Sequence, residues 1–214
     1  SDSGQICIAG ARILLQRDIA ERFIEAFVAR TQSLKVGNPL DPSTEVGPMA
    51  FKAHWQRVLD HIARARSDGA SLLCGGEARV DLGDGYFIAP TVFQVDNNQL
   101  SLCQEEVFGP VVSIQIFDDD DEALSLANDS RFGLVGYCWT NSLARAQAFQ
   151  QQVEAGTLWI NTPLARDLRA PFGGFKESGI GRDGPRQAAE FFTEEKATIT
   201  ALGTPPIRKL GETS

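Results

Sequence analysis

The sequence predicts an α/β domain whose mainly parallel sheet is flanked by helices on both faces. Short apolar segments rich in β-branched and aromatic residues alternate with longer amphipathic segments along most of the chain, which is the pattern of parallel α/β folds. The chain has 214 residues, of which 43% are hydrophobic and 22% are charged, an ordinary composition for a globular protein. This length is sufficient for one large domain with its own core.

The first half of the chain is predicted to contain two helices and three strands. Asp18 followed by Glu21 is a capping-box pattern at the start of the first helix. The second helix carries one apolar stripe at helical spacing, and a loop rich in glycine and proline separates the two helices. Pro90 interrupts the third strand, so we expect that strand to be bulged or at an edge. The predicted strands are residues 11–16, 71–74 and 86–95, and the predicted helices are residues 18–34 and 50–67.

The second half continues the alternation of strands and helices. A run of aspartates at 118–121 places negative charge at the start of one helix, and Ser142 is the expected N-cap of the next. A tail that begins at Gly203 is expected to be extended or loose. The predicted strands are residues 111–117, 134–140, 157–160 and 196–202, and the predicted helices are residues 118–128 and 142–153.

Charge and cysteine content exclude several classes of function. The formal net charge is −8 and the lysines and arginines form no basic stripe, so we expect no nucleic-acid or anionic-membrane partner. The cysteines and the two histidines lack the spacing of a zinc site, and no apolar run is long enough for a transmembrane helix. Free thiols are typical of a reducing compartment, which favours a cytoplasmic location.

The first cluster with chemical potential is Gly4-Gln5-Ile6-Cys7. We expect Cys7 in the first turn of a helix, where the helix dipole stabilises a thiolate and backbone N–H groups can hold an oxyanion. Gly4 permits close approach of the backbone. A buried structural cysteine among apolar neighbours is the alternative interpretation of the same residues.

Two further clusters combine glycine with aromatic and charged residues. Residues 105–110 read Glu-Glu-Val-Phe-Gly-Pro, in which a carboxylate and an aromatic ring could hold a ribose and a flat cofactor. The alternative is an acidic helix end that enters a turn. Residues 171–182 read Pro-Phe-Gly-Gly-Phe-Lys-Glu-Ser-Gly-Ile-Gly-Arg and predict a tightly folded loop. A surface turn is the alternative there, although solvated loops seldom carry two Phe and an Ile.

In this order and at this separation, the three clusters resemble those of the aldehyde dehydrogenase superfamily, from residue 1 to about residue 202. The resemblance implies that Cys7 is the nucleophile and that Glu106 binds the nicotinamide ribose. It implies that Phe108 lies beside the nicotinamide and that Phe172 is a wall of the aldehyde pocket. NAD or NADP would then be the cofactor, and a small aldehyde would be oxidised to a carboxylic acid through a Cys7 thioester.

The resemblance also implies that part of the family's machinery lies outside this sequence. In the superfamily, the dinucleotide-binding domain, the Glu that activates water and the Asn of the oxyanion hole all precede the nucleophile. We therefore expect a fragment that binds the cofactor weakly and has little activity of its own. Residues 1–195 would form the catalytic thiol domain, and residues 196–214 the C-terminal oligomerisation strand and tail of a homo-oligomer. His54 falls near a family position on the adenosine side of the cofactor.

The segment that leads into the third cluster, residues 157–171, bears on the substrate. It is similar to the hydroxymuconate-semialdehyde dehydrogenases, including the carboxymethyl-hydroxymuconate type, which act in aromatic-ring degradation. A carboxylated semialdehyde needs a cation near its distal carboxylate, and Arg166 and Arg169 are the candidates. Either arginine could instead pair with Asp167. The alternatives are a succinate-semialdehyde, betaine-aldehyde or CoA-acylating dehydrogenase, or a non-catalytic assembly module that pairs through its C-terminal strand.

Overall fold

The computed structural model describes residues 2–204 and residue 211. Its main sheet has four strands in the order β1-β4-β3-β2. Strand β4 lies between β1 and β3 and is parallel to both, whereas β2 is antiparallel to β3 at the edge. The mainly parallel sheet expected from the sequence is therefore confirmed. These strands are β1 (Arg12–Gln16), β2 (Ser71–Cys74), β3 (Thr91–Gln94) and β4 (Val111–Phe117).

Helices cover both faces of this sheet, as the sequence predicts. Neighbouring residues of β3 point to opposite faces, and accordingly Phe93 packs in a core with the second helix while Val92 packs with the first. Val58 and Phe93 have no exposed surface. The helices are α1 (Arg17–Gln32), α2 (Lys52–Ser67), α3 (Ser101–Gln104), α4 (Asp120–Asn128), α5 (Leu143–Gln152) and α6 (Pro185–Phe192).

A second, smaller β layer carries the C-terminal part of the chain. It consists of two pairs, one of which (β6 with β7) is parallel, while the other (β5 with β8) is antiparallel. Helix α5 is the crossover between β6 and β7, and Ser142 caps it as predicted, since its hydroxyl accepts a hydrogen bond from the Arg145 amide. The strands are β5 (Phe132–Gly133), β6 (Val135–Cys138), β7 (Thr157–Ile160) and β8 (Phe175–Lys176).

Three local predictions about the start of the chain and the third strand are wrong. Cys7 lies in a turn and not at the start of a helix, because β1 begins at Arg12 and leaves room for one turn only. Helix α1 has Gln16 as its N-cap, with no side-chain capping hydrogen bond, so Asp18 does not form the expected capping box. The strand expected over residues 86–95 is limited to β3.

The C-terminal segment also departs from the prediction. Residues 196–202 are exposed and are not part of any strand that the described residues form. A β-strand needs a partner for its N–H and C=O groups, and no described segment pairs with this one. Helix α6, which immediately precedes the segment, was not expected. Residues 205–210 and 212–214 of the predicted loose tail lie outside the described residues.

Across the described residues, the model contains no helix whose length and apolarity would allow it to span a membrane.

Candidate active site

Cys7 occupies the exposed corner of a tight turn. The Ala9 amide donates a hydrogen bond to the Ile6 carbonyl at 2.9 Å, so Cys7 and Ile8 are the two central residues of the turn. Cys7 is the exposed member of the four cysteines, because Cys74 and Cys103 are buried and Cys138 is half-buried. Burial raises the pKa of these last three thiols, which opposes formation of a nucleophilic thiolate.

The residues just before Cys7 fix the turn against the loop that leads into α2. The side chain of Gln5 donates to the Pro48 carbonyl at 3.2 Å and accepts from the Ala50 amide at 2.9 Å. Gly4 has φ +74° and packs directly on Gly109, whose carbonyl oxygen a Cβ on Gly4 would overlap. The first and second sequence clusters are thus in contact. In the Gly-Gln-x-Cys motif, the glycine allows this close contact and the glutamine holds the loop before α2.

On its other side, the turn is held by an aromatic pair that the sequence analysis missed. The hydroxyl of Tyr137, in β6, donates to the Ile8 carbonyl at 2.9 Å. The Tyr137 ring stacks on Trp159 of β7, with centroids 5.0 Å apart and planes 10° apart. The Trp159 indole N–H in turn donates to the Ala165 carbonyl at 2.6 Å. Residues 137 and 159 are register partners, so a parallel pairing of the two predicted strands was the available signal.

Glu105 and Glu106 have different surroundings, although both are exposed. Glu105 is 3.2 Å from Arg64 and lies 3.9 Å from the Nδ1 atom of His61. Burial lowers the pKa of His61, against the opposing effect of Glu105. Glu106 has no ion pair or side-chain hydrogen bond to another described residue. Its carboxylate is therefore free to accept hydrogen bonds from the hydroxyls of a ribose, and the residues present fit the implied cofactor at this point.

Phe108 has a backbone conformation that a buried histidine supports. Its φ is +56°, and its carbonyl oxygen lies 2.7 Å from Nε2 of His54. Arg57 donates to Nδ1 of His54 at 2.8 Å. An arginine can only donate and a carbonyl can only accept, so His54 carries its proton on Nε2 and donates it to Phe108. His54 thus contacts the backbone of Phe108, in the turn after Glu106. Its position on the adenosine side of the cofactor stays a prediction.

The third cluster forms a tight loop, as the sequence predicts, except that it contains the two-residue strand β8, which the sequence did not predict. Phe172 is half-buried, and its amide and carbonyl pair with those of Asp183 at 2.7 Å each. The loop lies on the smaller β layer through Gly156, where a Cβ would overlap the carbonyl oxygen of Gly173. Ser178 accepts a hydrogen bond from the Gly133 amide at 3.0 Å. One apolar residue of the loop, Ile180, is fully exposed.

The two arginines of the segment before Phe172 differ in their partners. Arg169 forms a pair with Asp167, in which Nη2 is 2.6 Å from the carboxylate, and 87% of its side chain is exposed. This pair raises the pKa of Arg169 and lowers the pKa of Asp167. Arg166 is exposed and has no ion pair within the part of the chain that the structure describes. The alternative of pairing with Asp167 therefore holds for Arg169 and not for Arg166.

The structure links the predicted site residues through backbone contacts and one aromatic pair. The Cys7 turn touches the Glu106–Phe108 segment through Gly4 and Gly109, and it reaches the Arg166 segment through Tyr137 and Trp159. No group of three or more His, Cys, Asp or Glu side chains among residues 2–204 is arranged to hold a metal ion. The exposed thiol, the unpaired carboxylate and the arginine-bearing loop therefore belong to segments that this chain of contacts joins.

Known proteins resemble this chain in sequence and fold over nearly its whole length. The family model described as the aldehyde dehydrogenase family matches residues 1–198. A betaine aldehyde dehydrogenase of Mesorhizobium japonicum is 40% identical over 203 residues, which are 94% of this chain and 42% of that protein. HpcC of Thermus thermophilus superposes with a TM-score of 0.91 at 40% identity, covering 98% of this chain and 42% of that one. An aldehyde dehydrogenase of Mycobacterium tuberculosis complexed with NAD+ superposes with a TM-score of 0.87 at 38% identity, covering 95% and 42%.

The chain thus spans less than half the length of the relatives it matches. Identity near 40% over almost every described element, together with the family match over residues 1–198, confirms the family that the three clusters predict. The chain belongs to the aldehyde dehydrogenase family.

Proposed function

We propose that this chain supplies the nucleophile and part of the substrate pocket of an NAD(P)-dependent aldehyde dehydrogenase. The observation that carries the proposal is the position of Cys7. It is the exposed cysteine, and its turn is held from one side by Gln5 and from the other by Tyr137. An accessible thiol on a turn that is fixed from both sides can meet an aldehyde carbon in a reproducible geometry.

The reaction follows from thiol chemistry. The Cys7 sulfur forms a bond to the aldehyde carbon and gives a tetrahedral thiohemiacetal. Bound NAD(P) supplies the acceptor for the hydride that leaves this carbon. The resulting thioester is cleaved by water, which releases the carboxylic acid and restores the Cys7 thiol. Glu106 would bind a ribose hydroxyl and Phe108 would lie beside the nicotinamide, while Phe172 would form a wall of the aldehyde pocket.

Replacement of the thiol tests this function directly. In the protein expressed from its complete gene, we expect Cys7→Ser to abolish NAD(P)-dependent aldehyde oxidation. The matched control is Cys138→Ser, which alters the half-buried cysteine and should retain most of the activity. Peptide mapping after brief treatment with iodoacetamide should place the first label on Cys7. Full activity of Cys7→Ser, or faster labelling of Cys138 in the folded protein, would contradict the proposal.

Two substrates have separate support. The relatives named betaine aldehyde dehydrogenases are 38–40% identical to this chain, and they favour betaine aldehyde, whose far end is a quaternary ammonium. The unpaired guanidinium of Arg166 instead favours a semialdehyde with a distal carboxylate, such as those of aromatic-ring degradation. The relatives give the stronger support. The two substrates carry opposite charges, so Arg166 would attract one and repel the other.

The C-terminal segment is part of the same proposal. We propose that residues 196–202 form a strand only when they pair with another subunit of a homo-oligomer. The segment is exposed, and Ile199 and Leu202 are almost completely accessible. Isolated apolar side chains at this exposure are common, but here they lie in a segment whose backbone also has no described partner.

A further inference from the structure

The Tyr137–Trp159 pair joins two parts of the site that are far apart in sequence. Tyr137 contacts the residue after Cys7 across 129 positions of the chain. Trp159 contacts Ala165, which is the neighbour of Arg166. The two rings are nearly parallel at 5.0 Å. The pair therefore forms a continuous path of direct contacts from the nucleophile turn to the arginine-bearing loop.

The hydrogen bond from Tyr137 controls the side of the turn that Gln5 does not reach. Gln5 holds the chain before Cys7. After Cys7, the Ala9 amide bonds within the turn to Ile6, and the next backbone bond to another segment runs from the Ser113 amide to the Ala11 carbonyl, just before β1. The Ile8 carbonyl lies between these two anchors. The bond from Tyr137 holds the peptide that joins Ile8 to Ala9, which is the far side of the turn that carries the Cys7 thiol. A rotation of this peptide would change the turn and redirect the thiol, and the bond opposes that rotation.

We infer that Tyr137 is a positioning residue for the Cys7 thiol and that its stack with Trp159 couples this turn to the Arg166 loop. The inference rests on the proposed function of Cys7 as the nucleophile. The Tyr137 hydroxyl must remain protonated to donate to Ile8. Burial and the nearby Cys7 raise the pKa of Tyr137, so the donor is retained at and above neutral pH.

The test uses the protein expressed from its complete gene and three variants that each keep an aromatic ring. Tyr137→Phe removes the hydroxyl, and Trp159→Phe removes the indole donor while a ring remains to stack. Tyr86→Phe is the matched control, because Tyr86 packs against Trp55 in the core and its hydroxyl has no described hydrogen bond. For each protein, the rate of Cys7 alkylation by iodoacetamide, kcat, KM for the aldehyde and Tm are measured.

We expect Tyr137→Phe to lower kcat by roughly threefold to a hundredfold. The smaller loss corresponds to one lost hydrogen bond, and the larger loss to a displaced reacting group. Its Cys7 alkylation rate should change as well, while KM for the aldehyde stays close to that of the unmodified protein. Trp159→Phe should raise KM for the aldehyde and leave the alkylation rate unchanged. In the double variant the losses in kcat/KM should be non-additive, and strictly additive losses would overturn the coupling between the two rings. Tyr86→Phe should change neither kcat nor the alkylation rate.

An unchanged kcat and alkylation rate in Tyr137→Phe, with only a lower Tm, would assign Tyr137 a structural role and overturn the inference. If Tyr137→Phe does not fold, Tyr137→His keeps a ring but places its donor closer to the backbone than the phenol hydroxyl. The His variant should then show a changed alkylation rate and a lower kcat, and a folded His variant with both values unchanged also overturns the inference. Failure of the proposed function is a separate result, because it would appear as an active Cys7→Ser variant.

Discussion

Arg166 and Arg169 lie three positions apart and have different partners. Arg169 donates to both oxygens of Asp167, whereas Arg166 has no ion pair to any residue in the described part of the chain. An arginine already satisfied by a neighbouring carboxylate has little to gain from a substrate carboxylate. Of the two candidates that the sequence provides, the structure therefore favours Arg166 as the one that could sense the charge of the substrate.

This difference gives a prediction about specificity. We expect Arg166→Ala to lower kcat/KM for a carboxylated semialdehyde roughly thirtyfold, which corresponds to a loss of about 2 kcal/mol in transition-state stabilisation. This loss is at the lower end of the range usual for a broken charge pair, because the Arg166 side chain is exposed. With betaine aldehyde the same variant should be as active as the unmodified protein or more active, because the substitution removes a cation from the proposed substrate site. Arg169→Ala is the control and should affect both substrates slightly. Equal losses by both variants on both substrates would show that the arginines only hold the loop.

His54 gives a second prediction for a single residue. It is 4% exposed, and His54→Leu would leave the Phe108 carbonyl without its donor. An unsatisfied buried polar group costs about 1–3 kcal/mol, and we expect a loss of that order in the free energy of unfolding measured in urea. His54→Gln keeps an N–H donor and should lose less. Because Glu106 is adjacent to this turn, His54→Leu should also raise KM for NAD(P). Equal stabilities of the Leu and Gln variants would contradict the role of the hydrogen bond.

At the scale of elements, α2 and α3 meet at a buried histidine. His61 of α2 is 8% exposed and its Nδ1 has no hydrogen-bond partner among the described residues. The charged groups around it are Glu105, Asp60, Arg57 and Arg64. Burial is the largest influence and lowers the pKa of His61, so the folded state favours the neutral ring. In the unfolded chain the ring takes up a proton near its ordinary pKa of about 6.5.

The sign of the resulting pH dependence follows from this shift. As the pH falls below about 6.5, the unfolded state binds a proton that the folded state rejects, so stability decreases until the pH passes below the folded pKa. We expect the free energy of unfolding to be lower at a pH of about 5.5 than at a pH of about 7.5, which lie on either side of the ordinary histidine pKa. In His61→Gln this difference between the two pH values should become smaller. The comparison between the two proteins removes the contribution of the carboxylates. An identical pH dependence in both would mean that His61 does not contribute.

Elements defined by local patterns were predictable, and elements that depend on distant partners were not. The apolar stripe of α2 and the Ser142 cap of α5 are encoded within one segment of sequence. The capping box at Asp18 fails because α1 begins directly after β1, which makes Asp18 an interior residue of the first turn. The contact from Tyr137 to Ile8 depends on a strand pairing and a separation of 129 positions. The motifs predict Cys7, Glu106 and Phe172 as site residues, but the residues that hold their segments in place are visible only in the fold.

At the scale of the whole molecule, the stretch from the last turn of α6 to residue 204 is exposed at every residue. Phe191 and Phe192 are each about 80% exposed, and Ile199 is 98% exposed. If residues 196–202 pair with another subunit, Ile199→Asp should disrupt the oligomer, because a buried unpaired charge is costly. Analytical ultracentrifugation should then show a lower mass. Leu40→Asp is the matched control, since Leu40 is 88% exposed in the loop between α1 and α2, and its mass should not change. An Ile199→Asp protein with the mass of the unmodified one would exclude this segment from the interface.

The contact between Gly156 and Gly173 has a consequence for how the sequence can vary. Gly156 comes directly before β7 and Gly173 lies in the loop that follows Phe172, and even a methyl group on Gly156 would occupy the space of the Gly173 carbonyl. Any larger residue at position 156 must displace the whole loop, and with it the backbone that pairs Phe172 with Asp183. Side chains elsewhere in the loop can change one at a time without entering this space, whereas position 156 admits only glycine while the loop keeps its place. Any sequence that retains this loop should therefore retain the glycine on which it rests.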